Sequence, residues 1–527
     1  MRKLSISNAA LMASVFCAVM TIAASAQTYQ VLAKFSSTTG EGTNSPLVQG
    51  TNGNFFTTAQ AGGANESSIY CNNFDQDFCG TFLEITSAGK LTVIYSFCAQ
   101  ANCADGGNPA VAPVLAPNGN FYGTTSTGGT SPASSCQWLT GCGTIFEITP
   151  AGKLTVLHNV CSESNCADGL AAGRLVLGAN GNFYGTTTSG GILNGDAGCP
   201  YGCGTIFTLS PAGKFTTLYK FCSEVDSQGD CADGVFPVYG LVQAENGKFY
   251  GMTYDGGTSG VGNIFEITAA GKLTPIYSFC SQPNCADGRS PSAPLILGKD
   301  GNLYGTTSSG GAYGGGTAFA ITPTGHFTTL YSFCNWATSS CPDGSSPSAS
   351  LTQGSDGNLY GTTSAGGIVN GGLCLLTGCG TTFQITAIDQ LNGLYSFCAQ
   401  TSCSDGAYPG AMMQATNGNF YGVATKGGRP GCIVGGGCGT AWSLSLGLGP
   451  FVQANPGFGH VGQRVNILGN HLTGVTSVTF DGTPAKFKVV SDAYIVAALP
   501  TGARSGRIEV TTSNGTLSSN VDFKVLP

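Results

Sequence analysis

The sequence predicts an all-β protein: a seven-bladed β-propeller closed by an N-terminal strand, followed by an immunoglobulin-like β-sandwich. Three observations lead to this prediction. The composition combines 82 glycines with only 9% charged residues, a balance that favours short strands and tight turns over helices. One signature recurs seven times between residues 52 and 424, and a different, cysteine-free strand pattern follows residue 446. A chain of 527 residues also exceeds the size of one ordinary domain.

Each repeat contains the elements of a four-stranded sheet. In the second copy a short apolar run at 113–116 precedes an Asn-Gly turn, and a strand is expected at 120–125. A Gly-rich loop, a third strand at 143–149, a Pro-Ala-Gly-Lys turn and a fourth strand at 154–160 follow. Asn-Gly and Asp-Gly turns tolerate positive φ angles and are strong hairpin signals. Four strands per repeat predict a propeller blade.

The two ends of the repeat array predict that the ring closes. A copy of the fourth-strand motif stands at 29–35, before any complete repeat, whereas the last repeat ends near Ser445 without a fourth strand. In a closed ring the N-terminal strand completes the seventh blade and leaves no long free edge. An open stacked solenoid is the alternative, but it has no reason to place its first strand in its last unit.

The N-terminus has the features of a cleaved export signal. Arg2 and Lys3 precede an apolar run over residues 9–23, and Ala-Ser-Ala at 24–26 matches a small-x-small cleavage site. We therefore expect a secreted or cell-surface protein, extracellular or periplasmic. No later segment has 18 uninterrupted apolar residues, so no membrane span is expected. The net charge of −7, with scattered Lys and Arg, argues against a nucleic-acid partner.

The cysteines predict eleven disulfides, each within one loop. Cys17 lies in the export signal, and the other 22 of the 23 cysteines fall into local pairs. The pairs after the fourth strand are Cys98/Cys103, Cys161/Cys166, Cys222/Cys231, Cys280/Cys285, Cys334/Cys341 and Cys398/Cys403. The pairs before the third strand are Cys71/Cys79, Cys136/Cys142, Cys199/Cys203, Cys374/Cys379 and Cys432/Cys438. Units that lack one member of a pair lack both, as covalent partnership predicts.

A metal site is the alternative reading of these cysteines. Zinc usually needs four clustered ligands, whereas each loop offers two thiols and no histidine. An exported protein also meets an oxidising compartment. We therefore expect disulfides, no metal and no cofactor.

Two further residue types recur in the repeats. An Asp-Gly pair follows the first kind of cysteine pair, with its carboxylates at Asp105, Asp168, Asp233, Asp287, Asp343 and Asp405. We interpret these aspartates as turn formers, and the alternative is a ring that binds a cation or sugar hydroxyls. An aromatic residue recurs at Phe56, Tyr122, Tyr184, Tyr250, Tyr304, Tyr360 and Tyr421, where we expect packing between blades rather than ligand stacking. No catalytic cluster stands out, because the four histidines are scattered and no nucleophile elbow with a following acid and histidine occurs.

The segment after a short linker at 447–450 reads as a separate domain over 451–527. Strands are expected at 464–468, 477–480, 485–490, 494–499, 507–511 and 521–525. The residues Asn-Pro-Gly at 455–457, Ile-Leu-Gly-Asn-His-Leu at 467–472, Val-Thr-Phe-Asp-Gly at 478–482 and Pro-Thr-Gly-Ala at 500–503 closely resemble the IPT/TIG family of immunoglobulin-like domains. The resemblance implies a binding or display module.

The repeats over 27–446 resemble the GloVer-type (Gloeo/Verruco) tandem repeat family of exported bacterial proteins. The resemblance rests on Gly-Asn-Leu-Tyr-Gly-Thr-Thr at 301–307 and 357–363 and on Gly-Thr-Ile-Phe-Glu-Ile-Thr at 143–149, and it implies no activity. We expect a monomeric, non-enzymatic binding scaffold whose propeller loops engage a glycan or an extracellular protein at the cell surface. The alternative is a propeller hydrolase or lyase that acts on polysaccharide or a lactone, and fold alone cannot choose between these functions.

Overall fold

The all-β prediction is confirmed by the structure, a computed structural model. It describes residues 27–66, 79–131, 136, 141–195, 199–227, 229–334, 341–367, 373–374, 377–432 and 436–526. The helices in these ranges are short 3-10 turns at Ala101–Cys103, Ser164–Cys166, Pro283–Cys285 and Thr401–Cys403. None of the helices in the described ranges is long and apolar enough to cross a membrane. The predicted export signal at 1–26 and Cys71 lie outside the described residues.

Seven antiparallel sheets, numbered here in chain order, occupy the repeat region. The N-terminal strand β1 spans Thr28–Lys34. Sheet 1 contains β2 (Val48–Gln49), β3 (Phe55–Ala59), β4 (Thr81–Ile85) and β5 (Leu91–Ser96). Sheet 2 contains β6 (Val114–Leu115), β7 (Phe121–Thr124), β8 (Thr144–Ile148) and β9 (Leu154–Asn159). Sheet 3 contains β10 (Leu170–Ala172), β11 (Val176–Leu177), β12 (Phe183–Ser189), β13 (Thr205–Leu209) and β14 (Phe215–Lys220). Sheet 4 contains β15 (Val235–Gln243), β16 (Phe249–Asp255), β17 (Asn263–Ile267) and β18 (Leu273–Ser278).

The last three sheets of the repeat region follow the same order. Sheet 5 contains β19 (Arg289–Pro291), β20 (Ile296–Leu297), β21 (Leu303–Ser309), β22 (Thr317–Ile321) and β23 (Phe327–Ser332). Sheet 6 contains β24 (Thr352–Gln353), β25 (Leu359–Thr363), β26 (Thr381–Ile385) and β27 (Leu391–Ser396). Sheet 7 contains β28 (Ala407–Gln414), β29 (Phe420–Lys426) and β30 (Thr440–Ser445), and its fourth strand is β1.

The repeated Gly-Thr-Thr motif is explained by packing inside each sheet. A Cβ atom at Gly123 would lie 2.6 Å from the ring of Phe146 on the neighbouring strand, so only glycine fits beneath that ring. Gly185 meets Phe207 in the same way, at 2.5 Å. Sheet 1 differs at both positions, because Thr57 replaces the glycine and pairs with Leu83 instead of an aromatic residue. The glycine and the aromatic residue therefore change together within one chain.

The recurring aromatic residues pack between consecutive sheets, as expected. Each ring stacks on the residue that directly precedes the recurring aromatic residue of the next sheet, wherever that preceding residue is itself aromatic. The ring centroids lie 4.4 Å apart for Phe56–Phe121, 4.2 Å for Tyr122–Phe183, 4.0 Å for Tyr184–Phe249 and 4.2 Å for Tyr360–Phe420. Tyr250 and Tyr304 instead meet Leu303 and Leu359 in shared apolar clusters. Each sheet from 1 to 6 is thus joined to its successor.

Sheet 7 makes the same contact with sheet 1. Tyr421 stacks on Phe55 with centroids 4.2 Å apart, and Gln49 exchanges two hydrogen bonds with Thr416. The N-terminal strand β1 pairs antiparallel with β30, from Thr28 opposite Ser445 to Lys34 opposite Thr440. The predicted position of the N-terminal strand in the last sheet is therefore observed.

The C-terminal region is an immunoglobulin-like sandwich with its own core. One sheet has the order β31 (Gln453–Asn455), β33 (Arg464–Leu468), β37 (Tyr494–Ala498) and β36 (Phe487–Ser491). The other has the order β35 (Thr483–Pro484), β34 (Ser477–Phe480), β38 (Ile508–Thr512) and β39 (Gly515–Ser518). A parallel pair, β32 (Phe458–His460) with β40 (Lys524–Leu526), completes it. The core includes Val465, Ile467, Phe480, Ile495 and Phe523.

Candidate functional site

The seven sheets have two chemically different ends. At the turn end lie the short Asn-Gly or Asp-Gly turns and the turns between the third and fourth strands. At the loop end lie the loops between the second and third strands and the loops that lead to the next sheet. All predicted cysteine pairs belong to the loop end.

The C-terminal domain contacts the turn end. Asn455 and Asn466 donate side-chain hydrogen bonds to the carbonyl oxygens of Leu115 and Pro117, at 3.1 and 2.8 Å. Leu468 is buried in one apolar cluster with Phe56 and other residues of sheets 1 and 2. The predicted linker is also in contact, because Leu448 packs against the cluster between sheets 6 and 7. The turn end is therefore partly covered, whereas these domain contacts leave the loop end uncovered.

Ten predicted disulfides are formed at the loop end. They are Cys98–Cys103, Cys136–Cys142, Cys161–Cys166, Cys199–Cys203, Cys222–Cys231, Cys280–Cys285, Cys334–Cys341, Cys374–Cys379, Cys398–Cys403 and Cys432–Cys438. Because Cys71 lies outside the described residues, its bond with Cys79 stays a prediction.

The structure brings the two kinds of cysteine pair together, which the sequence did not predict. The four sulfur atoms of Cys199, Cys203, Cys222 and Cys231 lie within 4.8 Å of one another and are buried. Smaller groups of three occur in the equivalent places of sheets 1, 2 and 6. A metal would need free thiolates, and these sulfurs are paired with each other as disulfides. Two adjacent disulfides therefore form the centre of a stapled loop pair.

The six repeated aspartates act as hydrogen-bond acceptors inside these loops, and all but the half-buried Asp343 are buried. Asp105 accepts hydrogen bonds from the Tyr95 hydroxyl at 2.8 Å and from the backbone N–H groups of Ala99 and Gln100 at 3.0 Å. Asp233, Asp287, Asp343 and Asp405 also accept from a tyrosine of the fourth strand. None of the six belongs to a group of possible metal ligands among the described residues. These contacts favour the turn-forming role, and the ligand ring stays a prediction.

Asp168 differs from the other five because a histidine replaces the tyrosine. His158 Nε2 lies 3.4 Å from the Asp168 carboxylate, and its ring stacks on Phe215 at 4.0 Å. Burial raises the pKa of Asp168, but the nearby His158 ring together with the hydrogen bonds from Glu163 and Ser162 outweighs it and lowers that pKa below its usual value. At Asp233 burial prevails over the hydrogen bonds from Tyr219 and Ser223, so the pKa of that carboxyl is raised.

A central cavity of about 170 Å³ lies where the chain enters the first strands of the sheets. Six of the seven sheets contribute to it, with residues 44–46, 110–112, 174, 292–294, 348–350 and 411. Its lining is mostly alanine, proline and serine, with Asn44, Val111 and one charged side chain, Arg174. Arg174 also lines a second cavity of about 280 Å³, the turn-end cavity, to which Asn520 and Val521 of the C-terminal domain contribute. Burial lowers the pKa of the Arg174 guanidinium.

Arg174 was not among the predicted site residues, although the repeat contains a signal for it. The equivalent positions of the other six repeats are Pro46, Ala112, Gly240, Pro294, Ser350 and Ala411. A charged residue at a position that is otherwise small or apolar is the kind of deviation that a binding site produces in a repeat protein. Only the structure shows that this position faces a cavity.

Exposed apolar side chains are concentrated at the loop end of sheets 3 to 5. Of the nine large hydrophobic residues that are exposed among the described ones, five lie there: Leu193, Tyr201, Val225, Tyr254 and Tyr313. The tyrosines are 46%, 41% and 48% exposed, and each comes from a different sheet. We call these five residues the loop patch. Exposed aromatic side chains at one end of consecutive sheets are typical of interaction surfaces.

These features define a tandem-repeat β-sheet protein with disulfide-stapled loops and a C-terminal immunoglobulin-like domain. Residues 71–285 and 196–441 match the Gloeobacter/Verrucomicrobia repeat, and residues 452–525 match the IPT/TIG domain. Because the matched repeats cover more than half of the chain, the protein belongs to the Gloeobacter/Verrucomicrobia repeat family. Both predicted resemblances are confirmed. No curated protein matches the sequence.

Several solved structures match the chain at low similarity. PorZ, a surface component of the type-IX secretion system of Porphyromonas gingivalis, is 12% identical with a TM-score of 0.47, over 94% of this chain and 61% of that chain. A protein of unknown function from Bacteroides thetaiotaomicron is 10% identical with a TM-score of 0.40, over 80% and 76%. A gluconolactonase from Xanthomonas campestris is 12% identical with a TM-score of 0.31, over 57% and 78%. At these values the likeness carries no argument about function.

Proposed function

We propose that the seven sheets are the blades of a closed seven-bladed β-propeller over residues 27–446, joined by the linker 447–450 to an IPT/TIG domain over 451–527. The pairing of β1 with β30 supports closure, because it joins the two ends of the repeat region. The stacking of Tyr421 on Phe55 supports it independently, since it repeats the contact between the other consecutive sheets.

The function we propose is a secreted, non-enzymatic binding scaffold that engages a glycan through the loop end. The observation that carries this proposal is the loop patch, with one exposed tyrosine from each of three consecutive sheets. Tyrosine presents a flat apolar ring with a polar hydroxyl, which suits the mixed apolar and hydroxylated faces of a sugar. The disulfides hold these loops in place without ligand, so less conformational entropy is lost on binding. The disulfides also support export to an oxidising compartment.

The alternative, a hydrolase or lyase, has less support from the central cavity. Acid–base cleavage of a glycosidic bond usually needs two carboxyl groups that flank the bond. The residues that line the central cavity include no carboxylate and no histidine. A single arginine among small residues suits recognition of a ligand group better than proton transfer.

A glycan array with variants of the loop patch tests the proposal. We expect the intact protein to bind a subset of polysaccharides, and Tyr201→Ala/Tyr254→Ala/Tyr313→Ala to lose at least tenfold in affinity. The same three positions changed to Phe should keep most of the affinity, because stacking needs the ring and not the hydroxyl. Ile388→Ala is the matched control, since Ile388 is also exposed but lies at the turn end of sheet 6.

Two outcomes would contradict this function. Equal binding by the alanine triple variant and the intact protein would remove the loop patch from recognition. Binding to envelope proteins but to no glycan would replace the glycan with a protein partner.

A further inference from the structure

We infer that Arg174 and the central cavity form a binding site for a carboxylate group, such as that of an acidic sugar. The inference deepens the proposed function, because the cavity is placed where the chain leaves the stapled loops and enters the first strands. A scaffold that binds glycan on its loops would then select acidic residues of that glycan at its centre.

Arg174 has no protein partner for its charge. Among the described residues its side chain makes no hydrogen bond or ion pair, although it lines two cavities. Arg174 is half-buried, and a guanidinium that is partly removed from water is normally paired, because desolvating an unpaired charge is costly. The other partly buried cation near this region, Lys299, donates instead to the carbonyl oxygens of Gly354 and Ser355. The guanidinium N–H groups of Arg174 are thus donors that have no acceptor among the described residues.

Ser292 provides a second, independent sign of a missing ligand. Its hydroxyl oxygen is buried and has no hydrogen-bond partner, and Ser292 lines the same cavity. Native proteins satisfy most buried hydroxyl groups, and exceptions often mark a place where a water, ion or ligand belongs. An anion held by Arg174 would satisfy the guanidinium, and rotation of the Ser292 side chain toward the cavity would let its hydroxyl donate to the same anion.

The small side chains of the lining and the cavity volume set the size of ligand that the site accepts. The surrounding residues are small, among them Ala112, Ala293 and Ala349. A cavity of about 170 Å³ holds far more than the ~10–15 Å³ that one water needs. Gly240, the equivalent of Arg174 in the next repeat, lets the two backbones approach closely, since a Cβ atom there would lie 2.8 Å from the Arg174 carbonyl oxygen. The site therefore fits a monosaccharide unit or its acidic group, not a folded chain.

A carboxylate is the anion that the geometry favours. The guanidinium plane offers two parallel N–H donors, which match the two oxygens of a carboxylate. No second cation lines the central cavity, whereas a phosphate with up to two negative charges usually recruits more than one. The test therefore compares a carboxylate with a phosphate on the same sugar.

The experiment measures binding of glucuronate, glucose and glucose 6-phosphate to the intact full-length protein by titration calorimetry. We expect glucuronate to bind at least tenfold more tightly than either of the others. Arg174→Ala should reduce glucuronate affinity at least tenfold and leave glucose unchanged. Arg174→Lys should fall between them, because it keeps the charge but loses the two parallel donors.

A positional exchange controls for a merely structural role of the arginine. Ser350 is the equivalent residue of sheet 6 and lines the same cavity. Arg174→Ser/Ser350→Arg should regain part of the glucuronate affinity that Arg174→Ser loses, with thermal melts showing that each variant folds.

The inference is overturned if glucuronate does not bind, if glucose 6-phosphate binds more tightly, or if folded Arg174→Ala binds glucuronate as the intact protein does. The failure is distinguishable from failure of the proposed function. Polysaccharide binding that depends on the loop patch but not on Arg174 would keep the scaffold and remove only the carboxylate site.

Discussion

The chain reverses direction at both ends of the repeat sheets, but the reversals are stabilised in physically different ways. At the turn end short turns suffice, because glycines such as Gly119 adopt a positive φ of 82° without crowding. At the loop end the chain makes longer connections, which are held by ten disulfides and by buried aspartates such as Asp105. Local backbone preference thus organises one end, and cross-links with internal polar contacts organise the other.

The two ends also differ in what they contact: the turn end supports the C-terminal domain, and the loop end presents the residues proposed to bind a ligand. The turn end is joined to the C-terminal domain through Asn455, Asn466 and Leu468, so its regularity provides a platform for that domain. The loop end varies in loop length and in cysteine content between repeats, and it presents the loop patch. Stapled but variable loops on a repeated scaffold are an arrangement in which binding residues can differ while the fold stays constant.

The largest expected effect comes from removing the strand on which both ends depend. Deletion of residues 27–36 removes β1 and exposes the edge of β30, which then recruits other chains. It also removes the fully buried Phe35, and a buried Phe alone is worth about 3–5 kcal/mol of folding free energy. We expect aggregation or loss of the folded monomer in size-exclusion chromatography.

Gln30→Ala provides the control, because Gln30 is exposed on the same strand and should change the free energy of unfolding by less than about 0.5 kcal/mol. A deletion variant that stays monomeric with an unchanged melting temperature would disprove ring closure. A deletion in the linker is a poor control, since Leu448 packs against the sheet region.

Reduction of the disulfides should affect one end more than the other. Each bridge closes a short loop and contributes about 2 kcal/mol by the chain-entropy model. Hydrogen-exchange mass spectrometry with and without a phosphine reductant should show lost protection at 98–108 and 161–169. The turns around Gly119 and Gly181 and the cysteine-free domain at 452–525 should keep their protection. Uniform loss of protection over the whole chain would contradict a separate stabilisation of the two ends.

The smallest expected effect compares two aspartates of the loop end. The lowered pKa of Asp168 means that its ionised form stabilises the fold above about pH 4, a contribution lost as the pH falls through its folded pKa. The raised pKa of Asp233 has the opposite sign, so its contribution is present below about pH 4 and is lost as the pH rises through its folded pKa. Asp168→Asn should therefore cost about 1 kcal/mol more than Asp233→Asn at pH 7.

Urea unfolding of both variants at pH 7 and pH 3 measures this difference. The gap between them should narrow at the lower pH, where protonation removes the advantage of the Asp168 carboxylate. Equal costs at pH 7 would contradict the opposite pKa shifts of the two aspartates.

Particular elements show what could be predicted from the sequence. The strands at 464–468 and 477–480 were predicted with the bounds that β33 and β34 have, because both alternate apolar and polar residues. The first strand of the second repeat was expected at 113–116 but spans only Val114–Leu115. The strands β31, β32, β35 and β39 were not predicted, since segments of two to four residues carry too little periodicity. The pair β32–β40 joins residues far apart in the chain, which no local pattern reveals.

The candidate site also combines local features, which could be predicted from the sequence, with long-range features, which could not. The cysteine pairs and the repeated aspartates were predicted, because the disulfides join cysteines that are close in sequence and the aspartates accept hydrogen bonds from residues that are close in sequence. The convergence of Cys199, Cys203, Cys222 and Cys231 was not, since it depends on how two loops fold over one sheet. Arg174 and Ser292 were not predicted either, because the cavity they share is built from six sheets.

By itself the sequence determined the number of repeats, the strand order within each, the short-range disulfide partners and the displaced fourth strand at the N-terminus. These features are periodic or local, so the spacing of residues along the chain contains them. Only the tertiary structure decided which end the C-terminal domain covers, where the tyrosines are exposed and which charge faces the central cavity. Those features depend on distances between residues remote in sequence, which are set when the sheets pack against one another and not by any one repeat.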